Sequence, residues 1–193
     1  MKLTMRVLPV VLSTMLAAGA VSADEYSDVL ENYAKNHVMP WANDPVLITA
    51  IRMQNQRTGG FSQSKIEDLD ITWRREVGQP QMPMIDAVLN NPASDFLRQK
   101  VENAGGLISE VFVMDARGLN VAASDVTSDY WQGDEAKFQE SFGQGAGAFH
   151  LGDIDFDEST QTYQAQVSLT ILDDLTGQPI GAITVGVNAE RLF

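Results

Sequence analysis

The sequence predicts an α+β domain in which a run of helices packs on one five-stranded antiparallel sheet. Two observations carry that expectation. Before Gly105-Gly106 the apolar residues recur three and four apart, the spacing of one helix face. After Leu107 they fall into short apolar or alternating runs separated by polar turns. The 193 residues also include no cysteine, so the fold must rest on burial rather than on disulfides.

The N-terminus is expected to stand outside that domain. Lys2 and Arg6 form a positive patch, residues 7–18 are apolar apart from Pro9, Ser13 and Thr14, and Val21-Ser22-Ala23 suits a signal peptidase. Residues 1–23 therefore read as a secretory signal peptide cleaved after Ala23. An uncleaved anchor is the alternative, but the run is shorter than the ~20 residues a spanning helix needs and Pro9 interrupts it. The mature chain, from Asp24, is expected to be soluble and periplasmic, with no membrane insertion after cleavage.

The helices follow in order. Tyr26, Val29, Leu30 and Tyr33 form a stripe expected to end at Met39-Pro40. Asp44-Pro45 is a start signal: a capping carboxylate, then a proline whose missing N–H costs nothing there. Val46, Leu47, Ala50, Ile51 and Gln54 share the next face, which Thr58-Gly59-Gly60 closes. Ser64 with Glu67 has the spacing of a capping box. Behind it Ile66, Leu69, Trp73 and Val77 make an apolar stripe, with Asp70 and Arg74 one turn apart on its edge. Gly78-Gln79-Pro80 breaks the pattern, and shorter helices are expected over residues 84–89 and 94–101. Residues 24–104 thus read as the helical region and 105–193 as the sheet of the same domain.

The strands begin with a hairpin, residues 111–114 and 120–124 around the turn Asp115-Ala116-Arg117-Gly118. A short helix over 135–142 is expected next, capped by Asp134 and ended by Gly143. Three more strands, 148–156, 162–172 and 180–187, complete the sheet, the last two joined by a turn at residues 173–177.

Taken with the residues themselves, this order resembles the extracellular Cache or PDC-sensor domains of bacterial receptors. The matching pieces are Asp44-Pro45-Val46-Leu47-Ile48 with Ala50-Ile51, Leu69-Asp70 with Trp73-Arg74, residues 110–115, 124–137 and 179–187. The resemblance implies a PAS-like antiparallel sheet with a long N-terminal helix behind it and a ligand pocket over the other face. It also implies a sensory, small-molecule-binding role. No membrane-crossing or signalling segment follows Val187, so a separate membrane receptor is the expected partner.

Composition removes other classes. The chain has 13 basic and 26 acidic residues, a net charge of −13, which makes nucleic acid and anionic membrane surfaces poor partners. His37 and His150 show no metal spacing, and no Gly-x-Ser-x-Gly or phosphate-binding loop is present. The glycines of residues 143–147 follow a helix rather than open one, and Asp153, Asp155 and Asp157 alternate with a strand's period rather than as a calcium loop. No enzyme activity, cofactor or metal is expected.

The candidate site residues are Asp129, Tyr130, Trp131 and Gln132, in the segment that would cross a PAS-like pocket, and Trp73, Arg74 and Arg75 on the helix packed nearby. The aromatic rings would wall a ligand. Asp129 and Gln132 would orient an amine or hydroxyl, and an arginine would hold a carboxylate. A small organic ligand that is amine-bearing or zwitterionic is therefore the favoured occupant. The competing reading is a non-catalytic structural or interaction module whose pocket is filled by its own side chains, with Trp73 and Trp131 as core and Arg74 answering Asp70.

Overall fold

A computed structural model describes residues 23–157 and 160–192; the expected signal peptide, residues 1–23, lies outside them except for Ala23. Helix α1 (Ala23–Tyr33) continues through a π-helical turn at Ala34–Val38 into α2 (Met39–Ala42), so one long helix runs past Pro40. Proline lacks the N–H and crowds the preceding turn, and the widened π turn relieves that conflict. The stripe therefore reaches further than expected: Leu30, Ala34, Val38 and Ala42 are all buried.

Helix α3 (Pro45–Thr58) is capped by Asp44, whose side chain accepts from the Val46 N–H at 2.9 Å. Helix α4 (Gln63–Glu76) starts two residues earlier than expected. Ser62, already in extended backbone after the glycine turn, accepts from the Lys65 N–H, so Ser64 is left inside the helix. Helices α5 (Pro83–Leu89) and α6 (Pro92–Asn103) each open with proline in the first turn, and Asn91 caps α6.

The strands are β1 (Ile108–Asp115), β2 (Asn120–Ala123), β3 (Phe149–Leu151), β4 (Asp155–Asp157), β5 (Thr162–Leu172) and β6 (Pro179–Asn188). They pair antiparallel in the order β2-β1-β6-β5-β3, with β4 also on β5. The expected strand over 148–156 is thus two short strands sharing one neighbour. The ladder stops at Gly152, whose N–H still reaches Gln166 O at 2.8 Å. The short helix is also smaller than expected: α7 spans Ala136–Gln139, a 3-10 turn follows at Phe142–Gln144, and no side chain caps α7. The Ser141 hydroxyl donates to the Lys137 carbonyl at 2.5 Å, which competes with continuation of the helix.

Alternation divides the sheet into two faces. Val111 and Val113 of β1, Val167 and Ile171 of β5, and Ile183 and Val185 of β6 pack against α1, α3 and α6. Phe112, Met114 and Ala182 point the other way, onto Ile66 and Trp73 of α4, Ile85 of α5, Tyr130 and Phe138. The second face also carries polar groups: Ser168 and Thr184 pair at 2.9 Å, and buried Glu110 accepts from Gln164 at 2.7 Å and Gln166 at 3.1 Å.

Candidate ligand-binding site

A cleft of about 830 Å³ opens between α3, α4, α5 and the start of α6, beside the β2 edge of the sheet. Helix α3 builds two sides at once. Leu47, Ile48 and Ile51 are buried on the sheet, whereas Val46, Ala50, Met53 and Arg57 fall at helical spacing along its flank and line the cleft. Phe61, Leu69 and Met84 form the facing wall, with Val88, Val121 and Tyr130 deeper in. Volume and lining match a small-molecule site, where an apolar wall carries a few convergent polar groups.

Most polar groups of the cleft are already engaged. Gln54 Nε2 lies 3.2 Å from Asp115 Oδ2, 3.3 Å from Leu119 O and 3.1 Å from Asn120 O. Thr58 Oγ1 is 2.7 Å from the same carboxylate, and Asp115 Oδ1 accepts from the Arg117 and Leu119 amides. This fully buried cluster ties α3 to the β1–β2 turn, so the floor is rigid. Asn91 Nδ2 is bonded to Val88 O and Val121 O. The Tyr130 phenol sits beside Gln54. Burial first, and then the Asp115 carboxylate, push its pKa well above the usual tyrosine range against Arg57 and Gln54, so it stays protonated and able to donate. Arg57 and Lys65 stand exposed at the mouth, and among the described residues neither side chain makes an ion pair or hydrogen bond. Among the described residues no carboxylate lines the cleft, Asp115 lying beneath its floor.

The residues singled out from sequence do not converge there. Of them only Tyr130 lines the cleft. Trp73 is fully buried: it stacks on Tyr130 at 5.5 Å between ring centroids and donates its indole N–H to Thr127 O at 2.8 Å. The ring is thus packed within the core and does not line the cleft. Arg74 pairs with Asp70 and lies 3.5 Å from Asp129, while Arg75 is exposed. Trp131 is half-buried and gives its indole N–H to Arg117 O at 2.9 Å; Gln132 is buried and its amide donates to Asp129 O at 3.0 Å. Arg74, Asp129 and Trp131 line a smaller recess of about 460 Å³ with Glu67, Asp70, Asp134 and Glu135.

The crossing segment is held by its backbone rather than draped over an open pocket. Asp70 Oδ1 accepts from the Tyr130 and Trp131 amides at 2.9 and 3.1 Å. Asn120 N–H bonds Tyr130 O, and Gln132 N–H bonds Gly118 O at 2.7 Å, extending the hairpin by a bridge at Leu119 and Trp131. Gly118, with φ 76°, permits this approach: a Cβ there would stand 2.6 Å from Gly133 Cα. The cleft residues that sequence reasoning missed are Arg57, Lys65, Met53, Phe61 and Met84. Their one available signal was a basic residue, Arg57, on the flank of an otherwise apolar helix face.

Among the described residues no helix is long and apolar enough to cross a membrane, and no group of His, Asp and Glu is clustered to hold a metal ion. Neither a protein-family model nor a curated protein sequence matches the chain. Among the solved structures it resembles are three sensor or sensory domains. The histidine kinase DctB sensor domain of V. cholerae superposes with TM-score 0.50 at 12% identity, over 88% of this chain and 54% of that one. The sensory domain of the Campylobacter jejuni chemoreceptor Tlp3 with isoleucine bound gives 0.42 at 13%, covering 90% and 66%. The E. coli DcuS sensor domain gives 0.41 at 14%, covering 67% and 90%. This chain spans about half the length of the DctB sensor domain. At such identities the likeness is one of fold, and the chain has the PAS-like fold of Cache/PDC sensor domains.

Proposed function

We propose that this protein is a non-catalytic sensory domain of the Cache/PDC type, exported to the periplasm, that binds a small organic molecule and reports to a separate membrane receptor. The observation that carries the reading is the 830 Å³ apolar cleft, whose floor is fixed by a buried hydrogen-bonded cluster and whose mouth is open. The fold shared with a histidine kinase sensor domain supports the sensory role. The N-terminal residues 1–23, with the composition of a signal peptide, support export.

The packed second face of the sheet favours the competing reading of a self-filled interaction module. Trp73, Tyr130, Phe138, Phe112 and Met114 occupy the position over the sheet where the resemblance places a ligand. The cleft separates the two. Ala87 of α5 is exposed on its lining, so Ala87→Trp fills space without disturbing buried packing. In a thermal-shift screen of small organic metabolites on the chain from Asp24, at least one compound is expected to raise the melting temperature of the native protein and not of Ala87→Trp. A screen without any such compound would remove the sensory reading and leave the interaction module.

A further inference from the structure

The charge pattern of the cleft names a class of ligand, an inference that rests on the cleft being the binding site. Three features converge. The walls are apolar and include the flexible side chains of Met53 and Met84, which adapt to chains of varied shape. Arg57 from α3 and Lys65 from α4 stand at the mouth without a carboxylate partner among the described residues. The Tyr130 hydroxyl, kept protonated, offers a donor below them.

An ammonium entering this cleft would meet like charges at its mouth, and the carboxylate beneath its floor, Asp115, is already engaged by Gln54, Thr58 and two backbone amides, although the protein as a whole carries a net charge of −13. A neutral ligand would leave both cations unused. An oxyanion would take a planar fork from Arg57 and a point charge from Lys65, while its body displaced water from the methionine-lined wall. We propose that the cleft binds a free amphiphilic organic acid, with its carboxylate held between Arg57 and Lys65 and an apolar body of medium length packed against Met53, Leu69 and Met84. It differs from the amine-bearing or zwitterionic ligand expected from sequence, because the carboxylates open to a guest sit in the separate recess around Asp129 and the one beneath the cleft floor, Asp115, is engaged.

The test is calorimetric titration of the chain from Asp24 with octanoate, octylamine and octanol, repeated on Arg57→Gln/Lys65→Gln and on Ala87→Trp. Octanoate is expected to bind at least tenfold more tightly than octanol, with no measurable octylamine binding. The double variant should lose that tenfold preference, and Ala87→Trp should lose binding altogether. Octylamine or octanol binding as tightly as octanoate, with Ala87→Trp still blocking it, would overturn the ligand class but leave the site. If octanoate, octylamine and octanol all fail to bind, the ligand class falls; an Ala87→Trp-sensitive hit in the metabolite screen would then still keep the cleft as the site. Binding that Ala87→Trp does not change would overturn the site and the class together. Ala87→Trp-sensitive binding to phosphatidylglycerol vesicles, but not to octanoate, would assign the acyl chain of a lipid and overturn the free acid.

Discussion

The run from Asp129 to Gln132 and the cleft beside α3 are both built from aromatic or long apolar side chains mixed with polar groups. They differ in what those polar groups are doing. In the run, the Trp131 indole N–H, the Gln132 Nε2, the Asp129 carboxylate and two backbone amides are bonded to protein, while the Gln132 Oε1 is sealed away from solvent without a partner among the described residues. In the cleft, Gln54, Thr58 and Asn91 are likewise bonded, while Arg57 and Lys65 have no protein partner among the described residues. A site for a guest needs unspent directional groups beside apolar space, and composition alone does not distinguish spent from unspent. The run builds the wall; the cleft has the room.

That contrast can be broken most forcefully at Trp73. Removing its fully buried ring should cost about 3–5 kcal/mol in urea unfolding. A loss below about 1 kcal/mol would mean the ring sits in accommodating, ligand-ready space rather than in core.

Asp70 tests the same wall through its hydrogen bonds. Asp70→Ala frees the Tyr130 and Trp131 amides and leaves Arg74 with the more distant Asp129, so a loss of about 1–3 kcal/mol is expected. Amide hydrogen exchange at Tyr130 and Trp131 should quicken with it. Unchanged exchange there would show that the segment is held by something other than this carboxylate.

Trp131→Ala sharpens the comparison further. It removes one indole hydrogen bond from a half-buried ring, for about 1 kcal/mol of stability, and should leave affinity for a cleft ligand within twofold. A tenfold loss of affinity would return the run to the binding site.

The smallest effect belongs to Glu110 on the packed sheet face. Burial, the largest cause, raises its pKa above the ordinary 4.5; Asp157 adds to this, and Gln164, Gln166 and Lys137 oppose it. The folded protein then holds the proton more tightly than the unfolded chain. Stability from this group is fully present below about pH 4.5 and is lost as pH rises through the folded value. Glu110→Gln, which cannot ionise, should melt slightly higher than the native protein at pH 7.5, with the gap closing towards pH 4.5. A gap independent of pH would assign the effect to packing.

Much of the fold was legible locally. Asp44-Pro45 announced α3 because capping and proline placement act within one turn, and residues 115–118 announced the hairpin for the same reason. The stripe through Ile66 and Trp73 was read correctly as burial. The misses also have local causes: Ser62 reached the α4 amides before Ser64 could, and Ser141 ended α7 early.

What the chain determined by itself was therefore period, caps, turns and the balance of charge, all of them set by neighbours a few residues apart. Tertiary structure alone decided which polar groups found partners and where space was left. Arg57 and Lys65 look like ordinary solvated cations in sequence, and Met53, Phe61 and Met84 look like scattered surface or rim residues. They become one lining only because α3, α4 and α5 cannot close on one another while each also buries a stripe on the sheet or its covering segment. A cavity is the remainder of non-local packing, and no window of sequence contains it.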